Sequence, residues 1–114
     1  MIRFVIDGQP LPKARPCVTN GQAYTPQKTR EWERQIGWAA RAAHVEPLAG
    51  DLHVGLQFRR KGKRRADIDN MTKAVLDGLN GIAFADDKQI VELCAFVTYG
   101  SDTPGITVTI QEVC

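Results

Sequence analysis

Leu52-His53-Val54-Gly55-Leu56-Gln57-Phe58-Arg59-Arg60-Lys61-Gly62-Lys63-Arg64-Arg65-Ala66-Asp67-Ile68-Asp69-Asn70-Met71-Thr72-Lys73 changes character twice within one run of chain. Leu52, Val54, Leu56 and Phe58 alternate with polar or small residues, which predicts a strand with one buried face. Met71, Ala74, Val75, Gly78 and Leu79 then recur at helical spacing, and Asn80-Gly81 supplies a stop. Charge fills the connection. Six of the fifteen Lys and Arg residues lie between Arg59 and Arg65, and six of the thirteen Asp and Glu residues between Asp67 and Glu92. A cationic segment that abuts an anionic one does more than keep a protein dissolved.

Upstream, Ile2 to Ile6 reads as a first strand, followed by a connection containing Pro10, Pro12 and Pro16. Asn20-Gly21 marks a tight hairpin turn. Thr25-Pro26 reads as a cap followed by a first-turn proline, and Trp32, Ile36, Ala39, Ala40 and Ala43 extend a helix from about Pro26 to Ala43. Downstream, Ile90 to Tyr99 is β-rich, and Ile106, Val108 and Ile110 alternate with Thr107, Thr109 and Gln111. The order β-(hairpin)-α-β-α-β-β predicts an α+β fold, a single domain over residues 1–114 with two main helices packed on one mixed sheet. The strand order is not legible at this level.

Composition narrows the function classes. With 114 residues, 43% hydrophobic, 25% charged and a formal net charge of +2, the chain suits one core of ordinary make-up. Asp7 interrupts the start, so no signal peptide is expected, and no apolar run suggests a membrane span. Cys17, Cys94 and Cys114 are odd in number and scattered, which argues against a disulfide framework or zinc site and for a cytoplasmic location. His44 and His53 have no catalytic setting and read as ordinary surface or strand residues.

Asp67 and Asp69 are two residues apart, so an extended segment would turn both carboxylates to one side. Paired carboxylates attract a hard cation, and magnesium favours one or two of them with water and phosphate oxygen. Asp86-Asp87 offers a third carboxylate that a reversal through the second helix could bring beside the first pair. Lys73 follows Asp69 by one turn, where an ammonium can steady charge developing on a phosphate. Asn70, Lys73 and Asp77 share one polar stripe. Asn70 is placed to orient a ligand carboxylate or a water, and Asp77, two turns from Asp69, is expected to lie outside the site. Each feature has a plainer reading: Asp69 as a helix cap, Asp86-Asp87 as a turn, Asp69–Lys73 as a surface pair, the basic run as a solvated loop.

Taken together, Arg64-Arg65-Ala66-Asp67-Ile68-Asp69-Asn70-Met71-Thr72-Lys73-Ala74, Asp77-Gly78-Leu79-Asn80 and Ala83-Phe84-Ala85-Asp86-Asp87-Lys88-Gln89-Ile90-Val91 resemble the RusA family of Holliday-junction resolvases. The matching core runs from about Phe58 to Val97, and Lys13-Ala14-Arg15-Pro16 and Tyr24-Thr25-Pro26 extend the likeness less specifically. The resemblance implies a homodimer that resolves four-way DNA junctions by paired symmetric nicks with Mg2+, or Mn2+ in its place. It implies Asp67, Asp69 and Asp87 as metal-binding and catalytic carboxylates, Asp86 as a further candidate ligand, and Lys73 as the essential lysine. Arg59, Arg60, Lys61, Lys63, Arg64 and Arg65, with Lys13 and Arg15, are expected to hold the DNA backbone. Trp32 or Trp38 and Phe96 or Tyr99 are the candidates for a dimer interface. A non-catalytic nucleic-acid-binding module and a metal-dependent nuclease acting on forks, flaps or RNA are the competing readings.

Overall fold

Alternation along the strands and a single apolar stripe along each helix fit together as one layer of helices on one sheet. The computed structural model describes residues 1–14, 17–24 and 26–113. The expectations placed on Arg15, Pro16, Thr25 and Cys114 lie outside these residues. The elements are β1 (Ile2–Asp7), β2 (Cys17–Thr19), β3 (Gln22–Tyr24), α1 (Gln27–Ala42), β4 (Leu52–Arg59), α2 (Ile68–Leu79), a short 3₁₀ turn (Asp87–Gln89), β5 (Ile90–Thr98) and β6 (Gly105–Glu112). Four strands form a mixed sheet in the order β1-β6-β4-β5. β6 runs antiparallel to both β1 and β4, while β4 and β5 are parallel. Parallel neighbours require a crossover, and α2 supplies it. The α+β arrangement expected from the sequence is the one observed.

Leu52, Val54, Leu56 and Phe58 of β4 are buried, as are Ile106, Val108 and Ile110 of β6 and Phe4 and Ile6 of β1. They meet Trp32, Ile36 and Ala40 of α1 and Met71, Ala74, Val75 and Leu79 of α2 in one core. β5 departs from its apolar sequence. It is an edge strand, with Val91, Leu93 and Phe96 each about half exposed (53%, 49% and 50%). Of the candidate interface aromatics, Trp32 is core at 4% exposure. Trp38 stands out at 58%, and Tyr99 is half-buried. The Asn20-Gly21 hairpin forms as expected, with both residues at positive φ (52° and 78°), the conformation that a two-residue turn between β2 and β3 demands. No helix among the described residues is long and apolar enough to cross a membrane.

The two helices approach closely at Gly78. A Cβ placed there would sit 2.9 Å from Ile36 Cβ and 3.0 Å from the Glu33 carbonyl oxygen. Both atoms belong to α1's rigid part, so the helices would have to separate. Overpacking of this kind costs about 1–3 kcal/mol, against about 1 kcal/mol gained in helix propensity. Gly78→Ala is therefore expected to lower the melting temperature by several degrees. A calorimetric Tm at or above that of the unsubstituted protein would show slack at this crossing.

Candidate active site

The basic connection leaving β4 is pinned at its base. The Lys61 amide donates to Gln9 Oε1 at 2.8 Å, the Arg60 amide to the Thr98 carbonyl at 2.9 Å and the Gly100 amide to the Gly62 carbonyl at 2.7 Å. At its far end the Ala66 amide donates to the Tyr99 hydroxyl at 3.2 Å, and the Arg65 guanidinium lies over the Tyr99 ring, 4.7 Å from its centroid. Tyr99 thus latches the end of the connection. Lys61, Lys63, Arg64 and Arg65 are exposed.

Arg59 and Arg60 are half-buried. Arg59, expected to hold the DNA backbone, is also engaged within the fold: its Nη1 donates to Thr107 Oγ1 of β6 at 2.7 Å and its Nε to the Thr103 carbonyl at 3.4 Å. Lys13 is likewise engaged within the fold. Its Nζ pairs with Asp77, and with Glu33 at 3.3 Å, while its amide donates to the Asn70 carbonyl at 2.9 Å. The hydrogen bond to Asp77 raises the Lys13 pKa above its ordinary value, so the ammonium persists throughout the neutral range. Replacing Lys63, Arg64 and Arg65 by Ala is expected to flatten the salt dependence of DNA binding by up to about 0.9 log units per lost phosphate contact. An unchanged slope in a titration series would mark the connection as merely solvated.

Asp67, not Asp69, caps α2. Asp67 is extended (φ −72°, ψ 115°), and its Oδ1 accepts the amides of Asp69 at 2.9 Å and Asn70 at 3.3 Å. The Asn70 side-chain amide donates to Asp67 Oδ2 at 3.4 Å. Ile68 already belongs to the helix, which replaces the extended Asp67–Asp69 segment expected from the sequence. Asp69 sits in the first turn, where the free amides and the helix dipole favour a negative charge.

A cleft of about 420 Å³ runs along α2. Asp69, Lys73, Asp77 and Asp87 supply its charge, and Ile68, Leu76, Leu93 and Ala95 its apolar walls. The crossover delivers Asp87 because Gln89 anchors the turn that carries it. Gln89 Nε2 donates to the carbonyls of Leu48 at 2.9 Å and Gly50 at 3.0 Å, while its Oε1 accepts the amides of Ala85 and Asp86. Asp86 caps this turn by accepting the Lys88 amide at 2.9 Å. That bond holds the Asp86 carboxyl below its ordinary pKa, whereas the hydrogen bond with Asp86 raises Asp87. Of the pair, Asp87 is the member that lines the cleft.

The acids are spread out along this cleft. Eight residues of helix put Asp69 and Asp77 about 12 Å apart along the axis, and the Asp77 charge bears on Asp87. Among the described residues, no three His, Cys, Asp or Glu side chains converge on a point where they could hold a metal ion. Among the described residues, the three carboxylates expected from the sequence to hold magnesium do not converge, and Asp77, expected outside the site, lines the same cleft. Its spacing from Asn70 and Lys73 was the available signal. Magnesium itself asks for less. One or two carboxylates completed by water and substrate phosphate are its usual protein ligands, and the oxygen-only donor set of the cleft fits that demand.

The sequence profile of the family described as Endodeoxyribonuclease RusA matches residues 7–111. The chain is also similar to YqaN of Bacillus subtilis (strain 168), described as an uncharacterized protein, at 28% identity over 138 residues, covering 98% of this chain and 96% of the relative.

Proposed function

Because the chain belongs to the RusA endodeoxyribonuclease family, we propose that it is a magnesium-dependent, cytoplasmic endonuclease that resolves four-way DNA junctions as a homodimer, by paired nicks. One observation carries the reading. Asp69, Lys73 and Asp87, drawn from three points of the family-like motif, line one cleft beside an exposed basic connection.

In this reading Lys61, Lys63, Arg64 and Arg65 hold the DNA backbone at the mouth of the cleft. Lys73 places its ammonium one turn inside, where it stabilises negative charge growing on the attacked phosphate. Asp67 fixes the start of α2 and so the direction of Asp69. Gln89 and Asp86 do the same for Asp87. Magnesium, held by Asp69 and Asp87, with Asp67 in support, together with a substrate phosphate, would supply charge neutralisation and a more acidic water. Recognition in this reading rests on shape and backbone.

One hydrolytic cleft per chain and two opposed strands to be cut call for two copies, and two-fold symmetry is the commonest solution. The deciding experiment is a cleavage assay on four-way, forked, linear and RNA substrates, with magnesium or chelator. It is joined to sedimentation equilibrium and to a cruciform plasmid. Magnesium-dependent linear product and a dimeric mass are expected. Nicked circles from a monomer would favour a general nuclease. The missing three-carboxylate cradle favours a second reading, a non-catalytic junction-binding module, which binding without cleavage in magnesium or manganese would establish.

A further inference from the structure

A second basic surface lies on α1, outside both the cleft and the β4–α2 connection. Arg30, Arg34, Trp38 and Arg41 follow one another at intervals of four, four and three residues, which puts them on one side of a helix. All four are exposed, and all line one shallow groove between α1 and the C-terminal half of α2. Among the described residues none of the three arginines has a carboxylate within ion-pair distance. Of the acids on the helix, Glu31 accepts from Gln27, and Glu33, which lines the same groove, pairs with Lys13. Asp77 lines both this groove and the candidate active cleft, so the two surfaces are continuous. The close helix crossing at Gly78 brings them edge to edge.

We infer that this α1 face is a second backbone-binding track for DNA, carrying an arm of the substrate away from the cleft past Asp77. The inference rests on the proposed action on DNA and adds where a second arm lies. Three unpaired guanidiniums in a row suit phosphates, which they can grip in bidentate fashion. Arg30 to Arg41 span about 16 Å of helix, the length of about five nucleotides of one strand at about 3.4 Å each. A second copy of this chain would have to present a matching acidic strip, whereas DNA presents one everywhere. Trp38, at 58% exposure, is positioned among the arginines for contact with sugar or an unstacked base.

The test replaces Arg30, Arg34 and Arg41 together by Gln, which retains helix propensity, and follows a labelled four-way junction by anisotropy across a salt series in chelator. The triple variant is expected to lose affinity and to flatten the plot of log affinity against log salt by up to about 2.7. Its Tm and sedimentation mass stay as in the unsubstituted protein. DNA should quench tryptophan emission, and Trp38→Phe should remove that quenching, because Trp32 is core. An unchanged salt slope in a variant that folds normally overturns the inference while leaving the nuclease reading intact. A fall in mass without DNA also overturns it, by making the face a protein–protein contact. If the unsubstituted protein binds no DNA, the proposed function fails and this inference fails with it.

Discussion

Asp69→Asn and Asp87→Asn should each abolish measurable junction cleavage while leaving junction binding equal or tighter. Both carboxylates line the cleft, and neither side chain is part of the core. If they hold the cation that neutralises the attacked phosphate, losing either forfeits several kcal/mol of transition-state stabilisation, on the order of 10³-fold in rate or more. Removing a negative charge beside a polyanion costs no affinity. Asp67 needs a different pair of substitutions because it also caps α2. Asn is as good a cap as Asp, so Asp67→Asn should melt normally, whereas Asp67→Ala should lose about 1 kcal/mol of stability. Loss of cleavage in both, with loss of stability in only one, separates chemistry from capping. Wild-type cleavage by Asp69→Asn would remove the α2 N-terminus from the reaction altogether. Asp77→Asn is no neutral control, since Asp77 shares the cleft and holds Lys13.

Lys73→Ala should reduce the single-turnover cleavage rate by about 10²–10³-fold, the usual cost of removing one preorganised donor from a developing oxyanion. Lys73 is exposed and without an ion-pair partner among the described residues, so its loss leaves the fold untouched. One phosphate contact at most disappears from the binding equilibrium, so affinity should change far less than rate. Lys73→Arg keeps the charge but changes its shape and reach, and should recover only part of the activity. A rate and an affinity that fall together would make Lys73 a binding residue instead.

The parts of the fold that were legible in the sequence are those set by local periodicity. Alternation in Leu52–Phe58 and Ile106–Ile110 and the helical spacing of Trp32–Ile36–Ala40 and Met71–Ala74–Val75 each place a residue against the core without reference to distant chain. Pairing partners are a long-range matter. Nothing in Ile90–Thr98 announces an edge strand, because its apolar residues match those of a central one; only the sheet order leaves them half exposed.

The same division holds at the site. The Asp67–Lys73 spacing was readable because one turn of helix fixes it. Which aspartate caps was not, since D-x-D-N offers two candidates and the choice depends on where the chain leaves the basic connection. The Lys13–Asp77 pair joins residues 64 positions apart, so the sequence does not show that this lysine also ties α2 to the connection after β1. Gln89 went unassigned for a similar reason. Its partners Leu48 and Gly50 lie 41 and 39 residues upstream.

The insertion of β6 between β1 and β4 has a consequence for how the chain is made. β1 is synthesised first but pairs only with β6, the last of the described elements. Until residues 105–112 leave the ribosome, Phe4 and Ile6 have no neighbouring strand, and the far side of β4 stays an open edge. The nascent chain can build the β4–α2–β5 crossover early, yet it must carry an unfinished sheet until β6 emerges. Exposed strand edges in such intermediates invite self-association. Premature termination anywhere before β6 should therefore yield an aggregating fragment rather than a smaller, stable one.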